Sequence, residues 1–453
     1  MAKPPTAAPM HILLPSDVFP PGSVGGAAWS AHTLAHALHD RGQRVTVVVP
    51  IQGQAGLQQT QAGELPVLRW GYRAPRLPFV QNYARHELVW QPLADLLTRL
   101  GETDRDRLLI HAQHVQTTPA AVLAGQQLNV PVVVTVRDHW PWDYFATGLH
   151  GNRVPYPRTS WAALATDLPA RLGMPAGVSA WAAIPYMLAH VRRRAAFLAR
   201  AEAVIAVSRY IARRLETIVP PERIHVIPNM VDRLTTERIA ATPPETPLPE
   251  RFLLFVGKLE RNKGAGLLVA IFRALQQAAA LGREVLPTLL VAGSGALQAE
   301  LERDLANLGV ATRFLAWAPH DEVLRLMARC ELLLFPSAWG EPLSRVLLEA
   351  GMLGAPILAM PTGGTPDIIS DGVNGALAAT PEAFARRLAL LLHRPAERRA
   401  PGRRIHRQGR AVLCVGRDRG GAGRGPAEDP ADPAHRVPTV WLTALALHSL
   451  ERL

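Results

Sequence analysis

The sequence predicts an α/β protein in which two domains, each a doubly wound parallel sheet, face one another across a cleft. Three observations predict this fold class: short apolar segments typical of buried strands recur along the chain, helix-length segments separate them, and a proline-rich segment divides them into two series. The chain has 453 residues, of which 48% are hydrophobic, so two or three domains can each bury a core of their own.

The first series of strands lies in residues 10–240. A helix over 27–41 connects the first two strands, and Gly42 can end it, which makes a βαβ unit. The predicted strands are 11–15, 45–50, 107–112, 130–136 and 202–208.

A connector separates this series from a second one in residues 251–393. Residues 241–250, ATPPETPLPE, contain four prolines and are typical of a stiff, extended linker. The ligands of such sheets bind at the carboxyl ends of the strands, so we expect a site in the cleft between the domains. The strands predicted in the second domain are 251–256, 287–292, 331–335 and 355–359.

Composition excludes several classes of protein. Cys330 and Cys414 are the only cysteines, too few for a disulfide framework or a Cys-rich zinc module. The N-terminal segment MAKPPTAAPM lacks the apolar region of a signal peptide, and no segment is typical of a transmembrane helix. We therefore expect a soluble, cytoplasmic protein.

The net charge of +12 would suit nucleic acid or an anionic membrane surface, but its distribution argues against nucleic acid. Only three of the 49 basic residues are lysines, Lys3, Lys258 and Lys263, and such an arginine bias is typical of a GC-rich coding sequence. Residues 394–453 hold 12 arginines and 6 acidic residues, a net +6 of the total +12. The rest is mildly basic, and we expect no nucleic-acid partner.

Two lysines stand in the segment GKLERNKG, residues 257–264, directly after the first strand of the second domain. Lysine ammonium groups bind phosphate oxygens as point charges, so Lys258 and Lys263 are candidates for holding a diphosphate. The alternative is that both are solvated surface charges.

Glycines follow three of the predicted strands. Gly25 and Gly26 end the turn SDVFPPGSVGG just before a helix, where a ligand can approach the backbone and the helix N-terminus favours an anion. Turn geometry alone also explains such residues, so both interpretations stay open. The glycines after the later strands are Gly293, Gly295, Gly363 and Gly364.

Glu341 and Glu349 follow the strand at 331–335. Eight residues of helix rise about 12 Å, so the two carboxylates could bind hydroxyl groups at opposite ends of one elongated ligand. The alternative is a helix-start charge and an exposed glutamate.

In their order, these motifs resemble the donor-binding domain of glycosyltransferase family four. The second domain supplies FPS at 335–337, both glutamates, GAP at 354–356, the paired glycines and NG at 374–375. The first domain agrees, with SDVFPPGSVGG, VTVRDHWP at 134–141, AVSRYI at 206–211 and VIPNMVD at 226–232. The resemblance covers about residues 10–393. It implies a GT-B fold with two Rossmann-like domains and retaining transfer of a sugar from a nucleoside-diphosphate sugar to a glycan, lipid or small-molecule acceptor.

The resemblance also implies roles for individual residues. Lys258 and Lys263 would bind the donor diphosphate, although the family usually has Arg at the first position. Glu349 would bind the ribose and Glu341 the sugar or its surroundings. The glycines named above would lie near the phosphates or present backbone amides to the donor. The family generally needs no metal, the sequence has no convincing metal-ligand spacing, and no cofactor is expected.

One departure from the family pattern concerns the sugar side of the site. Many members have His-Asp where this chain has Arg137-Asp138, and that His usually contacts the sugar. Arg137 could donate hydrogen bonds there but could not titrate. We rank Arg137, Asp138 and His114 as sugar- or acceptor-side residues, with ordinary packing as the alternative for His111 and His114.

Two further segments are unusual. Residues 174–191 carry no Asp, Glu, Lys or Arg and precede Arg192, which suits peripheral contact with a membrane, including at its inner face. A buried connector followed by an exposed helix start is the favoured alternative. Residues 394–453 form an atypical tail. Its first part, 394–438, is rich in Arg, Gly and Pro, unlike the closing helix of the family, and we expect disorder there, whereas residues 440–453 could form a substitute helix.

We hypothesise a frameshift near residue 400, which the coding DNA can test.

The alternative functions are a catalytically impaired sugar-nucleotide-binding relative, defective in this C-terminal segment, and a GT-B epimerase, for which no acid pair is evident.

Overall fold

The computed structural model describes residues 9–21, 25–75, 80–150, 154–155, 158–277 and 286–394. The predicted tail at 394–453 lies, apart from its first residue, outside this range. The strands are β1 His11–Pro15, β2 Arg44–Gln52, β3 Gly56–Ala62, β4 Leu65–Tyr72, β5 Leu108–Ala112, β6 Val132–Val136, β7 Leu149–His150, β8 Val154–Pro155, β9 Ala203–Ala206, β10 Ile224–Val226, β11 Phe252–Val256, β12 Thr288–Ala292, β13 Thr312–Phe314, β14 Leu332–Phe335, β15 Ile357–Ala359 and β16 Ala376–Leu377.

The helices begin and end as follows: α1 Gly26–Asp40, α2 Val80–Tyr83, α3 Trp90–Gly101, α4 Thr117–Leu128, α5 Trp161–Leu172, α6 Ala176–Ser179, α7 Ile184–Leu198, α8 Arg209–Leu215, α9 Arg233–Ala241, α10 Ala265–Gln277, α11 Gln298–Asn307, α12 His320–Met327, α13 Arg345–Met352, α14 Thr365–Ile368 and α15 Pro381–His393. Among the shorter turns, Ala180–Ala183 and Arg261–Lys263 are 3₁₀-helical.

The first sheet has the strand order β10-β9-β6-β5-β1-β2-β4-β3. Its neighbouring strands are parallel except for β3, which pairs antiparallel with β4. The five predicted strands of this domain are present. The strands β3, β4 and β10 of this sheet were not predicted, nor were β7 and β8, which form a separate two-stranded antiparallel sheet. The side chains of β3, GLQQTQA, are mostly exposed, so the strand lacks the apolar residues that mark a buried one.

The second sheet is parallel throughout, in the order β13-β12-β11-β14-β15-β16. It contains the four predicted strands of the second domain and the short strands β13 and β16. Helices follow the strands of both sheets and pack against them, so the predicted α/β fold class with two parallel sheets is confirmed.

The apolar core of the first domain continues into the second. Leu343, Leu348 and Met352, in and just before α13, are buried in the same cluster as Val204 and Ile211 of the first domain. The start of α13 is fixed by Ser344, whose hydroxyl accepts a hydrogen bond from the amide of Leu347. This packing sets the direction of α13 and of the carboxylate that it carries.

The segment at 174–191 departs from the favoured expectation of a buried connector. Residues 172–176 are exposed, with Met174 71% exposed, and the segment continues as α6, a 3₁₀ turn and the start of α7. Its charge-free sequence therefore supplies both surface and core, because Ala180, Ile184 and Met187 are buried in an apolar cluster. Among the helices of the described residues, none is both long and apolar enough to cross a bilayer.

Candidate active site between the domains

The order of the second sheet brings four chain segments together at one edge. The strands β12, β11, β14 and β15 are parallel neighbours, so the loops that follow them meet at their carboxyl ends. These loops carry the predicted donor-side residues other than Gly25, Gly26 and Glu349. His139 of the first domain contacts these loops directly. Its ring donates from Nε2 to the carbonyl oxygen of Gly340 at 2.9 Å.

The centre of this edge is an ion pair between Lys263 and Glu341. Lys263 Nζ lies 2.8 Å from Glu341 Oε2 and 4.5 Å from the centre of the Trp339 ring. The indole Nε1 of Trp339 donates to the same carboxylate oxygen. Lys263 and Glu341, 78 residues apart in the chain, thus form one group, with the ammonium partly open to the cleft. Lys258 is exposed in the same loop.

The later glycines have a packing reason in addition to any role in binding. A Cβ on Gly293 would lie 1.9 Å from the carbonyl oxygen of Gly257, and one on Gly295 would lie 2.6 Å from that of Leu259. These glycines allow neighbouring loops to pack backbone against backbone, and their contact with a donor stays a prediction. A Cβ on Gly363 would lie 2.2 Å from the carbonyl oxygen of Glu341, and one on Gly364 would lie 2.2 Å from that of Pro342.

The same packing predicts a stability difference between two left-handed glycines. Gly264 has φ +77° and a Cβ there would meet the Pro336 oxygen at 1.8 Å, whereas Gly309 has φ +64° and open space around it. We expect Gly264→Ala to lower the free energy of unfolding by about 3 kcal/mol or more and Gly309→Ala by about 1 kcal/mol. Urea denaturation of the two variants compares them. Equal losses would contradict the close loop packing.

Gly25 and Gly26 differ from the other predicted glycines. Gly25 has φ +144°, and nothing lies within 4 Å of the position that a Cβ would take. Gly26 begins α1, whose N-terminus carries no side-chain cap from the described residues. The first-turn amides of this 15-residue helix therefore suit an anion in front of Gly25.

Glu349 is buried on α13 and held by two donors. His320 Nε2 lies 2.9 Å and Arg345 Nε 2.6 Å from Glu349 Oε1. Burial alone would raise the pKa of Glu349, but the hydrogen bond from His320 and the charge of Arg345 outweigh it and hold the pKa below its usual range. The His320 ring also stacks on Trp29 of α1, with ring centres 4.9 Å apart, so this group joins the two domains.

His114 and Asp138 form a charged cluster together with Asp17, which was not predicted. His114 Nε2 lies 2.9 Å from Asp138 Oδ2, and its Nδ1 lies 3.3 Å from Asp17 Oδ2. Burial would lower the pKa of His114, but the two carboxylates raise it to about 10, so the ring is an imidazolium at neutral pH. Asp17 also accepts from the amides of Gln116 and Thr117, and the pKa values of both aspartates lie below their usual range.

Arg137 is hydrogen-bonded within the first domain. Its Nε donates to the Asn229 side chain at 3.1 Å and its Nη1 to the carbonyl oxygen of Gln113 at 3.2 Å. Burial and the charge of Arg345 lower the pKa of Arg137 to about 9, which leaves it charged at neutral pH. Nearby His111 bonds Thr135 at 2.8 Å, and burial lowers its pKa to about 3, so its packing interpretation is favoured.

His139, rather than Arg137, is the residue of this loop that crosses to the second domain. Its ring lies between Tyr210 and Trp339, with centres 5.8 and 5.4 Å away, and its hydrogen bond ends one residue before Glu341. Burial lowers the pKa of His139, which favours a neutral ring that donates from Nε2. The only sequence signal for His139 was its position two residues after Arg137, where the chain departs from the family pattern.

The described residues contain no group of three His, Cys, Asp or Glu side chains arranged to hold a metal ion. The groups described above are lysine and arginine cations, carboxylates, one imidazolium, and backbone amides at a helix N-terminus. Such a set binds anions and hydroxyl groups.

Comparison with known proteins decides the family. The Glycosyltransferase Family 4 profile matches residues 24–233, and the profile for glycosyl transferases group 1 matches residues 240–408. A 2-deoxystreptamine glucosyltransferase of Streptomyces kanamyceticus is 30% identical over 301 residues, which is 58% of this chain and 71% of that one. The chain belongs to glycosyltransferase family 4.

Other relatives of this family 4 glycosyltransferase agree over most of its length. A glycogen synthase of Mycobacterium tuberculosis is 26% identical over 384 residues, 81% of each chain. The structures of Anabaena HepE with UDP-glucose and of sucrose-phosphate synthase from Thermosynechococcus elongatus superpose with TM-scores of 0.60 and 0.61, at 17% and 16% identity. They cover 98% of this chain and 100% and 98% of their own. The resemblance in the sequence, the GT-B fold and the assignment as a transferase are confirmed.

Proposed function

We propose that this glycosyltransferase moves a sugar from a nucleoside-diphosphate sugar to a hydroxyl-bearing acceptor in the cleft, with retention of anomeric configuration. The observation that carries the proposal is the Lys263–Glu341 pair at the carboxyl edge of the second sheet, next to the Gly340 carbonyl that accepts from His139 of the first domain. Solved structures of the same fold, HepE with UDP-glucose and starch synthase IV with ADP, support a nucleotide-linked donor.

The proposed reaction exchanges one bond to the anomeric carbon for another. The bond from C1 to the phosphate oxygen breaks, the acceptor oxygen bonds to C1 from the same face, and the acceptor proton passes to the departing phosphate oxygen. Negative charge accumulates on the diphosphate, where Lys258, Lys263 and the amides of α1 would stabilise it. The contacts of Lys263 with Glu341 and Trp339, which hold its ammonium at the edge of the sheet, support this role.

The carboxylate of Glu349 would bind the ribose of the donor. Its hydrogen bonds with His320 and Arg345 both end on Oε1, and we propose that Oε2 accepts from the ribose hydroxyls. The lowered pKa keeps this carboxylate ionised and therefore a strong acceptor. On the acceptor side, the cluster of His114, Asp17 and Asp138 presents charged groups near the loop of His139, and we propose that it positions the acceptor or the sugar.

A ligand-induced stabilisation assay tests the donor site. We expect one nucleotide among UDP, GDP and ADP, with its sugar, to raise the melting temperature in metal-free buffer, since a ligand at 100 times its Kd stabilises by about 2.7 kcal/mol. Glu349→Gln should remove the shift, and Glu300→Gln, an exposed glutamate of α11, should keep it. No shift in the folded chain with any of these ligands would contradict the proposed donor.

Turnover separates an active enzyme from the impaired relative. With the nucleotide identified, release of sugar to water or to an acceptor is measured, and the anomeric configuration of the product is read from its proton NMR coupling. Binding without any transfer or hydrolysis would favour a sugar-nucleotide-binding relative, and an inverted product would contradict the retaining mechanism. Peripheral contact with a membrane is proposed on separate grounds, from a surface outside this cleft.

A further inference from the structure

The helical unit of residues 158–198 presents a broad uncharged surface. Every exposed residue from Trp161 to His190 is uncharged. The two charged residues of that stretch, Asp167 and Arg171, pair with each other at 2.5 Å, with Asp167 buried and Arg171 18% exposed. Large apolar side chains stand out of this surface, each named here with its exposed fraction: Trp161 52%, Leu172 52%, Met174 71% and Trp181 38%.

These side chains share one face of the unit. Trp161 and Leu172 are eleven residues apart on α5, about three helical turns, and therefore point in the same direction. Trp181 lies over the same helix, since its Nε1 donates to the carbonyl oxygen of Ala165 at 3.0 Å and its ring is 5.9 Å from that of Trp161. Met174 follows two residues after the end of α5. Contiguous exposed apolar surface of this kind marks an interaction site.

Arginines border the uncharged face at both ends. Arg158 precedes it, and Arg192 and Arg193 follow it on α7, all three exposed. Arg193 is paired with an acidic side chain, Glu87, which is 11% exposed and lies 2.6 Å from Arg193 and 2.8 Å from His190, so Arg158 and Arg192 supply the charge of the border. The border therefore carries a positive charge beside an aromatic and apolar surface.

The unit is anchored to the loop that carries His139. The Arg194 guanidinium, which is buried, donates to the carbonyl oxygen of Asp143, and the carboxylate of Asp143 accepts from the amides of Thr147 and Gly148. A Cβ on Gly148 would lie 2.4 Å from His139 Nδ1, so the loop packs directly on that ring. A partner that binds this face thus sits on an element fixed to the cleft.

We propose that this face docks on a membrane whose surface carries anionic lipid headgroups. The two indoles and the Leu172 and Met174 side chains enter the interface, and the bordering arginines meet headgroup phosphates. A second copy of the chain fits less well, because an isologous contact would bring the arginine borders of two copies against each other. This proposal does not depend on the identity of the donor.

Co-sedimentation of the full chain with vesicles tests the proposal. We expect the protein to sediment with vesicles of phosphatidylcholine mixed with phosphatidylglycerol, and not with phosphatidylcholine alone or at high salt. In the triple variant Trp161→Ser, Leu172→Ser and Met174→Ser, binding should fall by at least about tenfold. Arg192→Gln alone should weaken it by roughly fivefold. A matched control, Leu57→Ser, Val226→Ser and Leu234→Ser, removes apolar side chains of 48%, 38% and 47% exposure elsewhere and should bind like the parent chain.

Three outcomes would overturn the proposal. The first is a folded chain that fails to bind anionic vesicles. The second is binding that the triple variant retains in full, which would assign it to the arginine-rich segment 394–453, present unchanged in all these proteins. The third is a parent chain that sediments as a dimer when the triple variant is a monomer, which would make a second copy the occupant. Nucleotide binding, measured on the same preparations, reports the proposed function independently.

Discussion

Replacing Lys263 by alanine is expected to lower kcat/KM by about 10²–10³-fold, because the variant loses the ammonium group proposed to stabilise charge on the departing diphosphate. The loss should appear in kcat as well as in KM, since that charge develops mainly in the transition state. Lys263→Arg keeps a cation and should recover part of the activity, although the broader guanidinium does not reproduce the packing over Trp339.

Arg303→Ala controls for the loss of an exposed, paired cation that lies on α11, outside the loops of the site. Arg303 is 66% exposed and pairs with Asp304 at 3.0 Å, so its removal should leave kcat/KM unchanged. The melting temperature of Lys263→Ala shows whether it is folded. A folded Lys263→Ala with parental kcat/KM would remove Lys263 from the reaction and leave its pair with Glu341 a structural contact.

His114→Ala is expected to destabilise the first domain by about 2 kcal/mol or more, because it leaves the partly buried carboxylates of Asp17 and Asp138 without the cation between them. Asp138→Asn in the same chain should restore part of the loss by removing one of the two charges. Urea denaturation of the single and double variants measures this coupling. His39→Ala, which breaks a pair with the largely exposed Glu64, should cost little.

The same cluster predicts the direction of the pH dependence. The pKa of His114 is raised from 6.5 to about 10 in the folded chain, so its contribution is fully present below pH 6.5 and is lost as the pH rises toward 10. The pKa values of Asp17 and Asp138 are lowered from 3.8, so their contribution is present above that pH and is lost in more acidic solution. The stability difference between the parent and His114→Ala should therefore shrink between pH 6.5 and 10. A constant difference would mean that His114 is not charged between the aspartates.

Most of the fold could be predicted because buried parallel strands have short, continuously apolar sequences. The nine predicted strands are present, with bounds within two residues of those expected. The hairpin of β3 and β4 was not predicted, since the glutamines of β3 face solvent at the sheet edge. The strands β10, β13 and β16 have three, three and two residues, too few to show a pattern.

Residues of the candidate site could be predicted where they belong to one sequence motif. Contacts between residues of two distant segments could not. Lys263 and Glu341 were expected separately, but their pairing depends on the placement of β14 beside β11. Three residues of the site were not predicted because their roles arise from contacts between distant segments. Asp17 contacts His114, and Trp29 of the first domain stacks on His320 of the second. Arg137 was ranked by its place in a motif, whereas its hydrogen bonds are to Asn229 and Gln113.

The scarcity of lysine gives the loop at 257–264 a practical property. Apart from Lys3 and the terminal α-amino group, the amines of this chain are Lys258, exposed, and Lys263, which is paired with Glu341. A reagent selective for amines, such as formaldehyde labelled with carbon-13 for reductive methylation, would therefore place half of its possible labels in this one loop. Their NMR signals would report directly on how each ammonium responds when a phosphate approaches, in a protein of 453 residues whose remaining 46 basic side chains are arginines and are silent to the reagent.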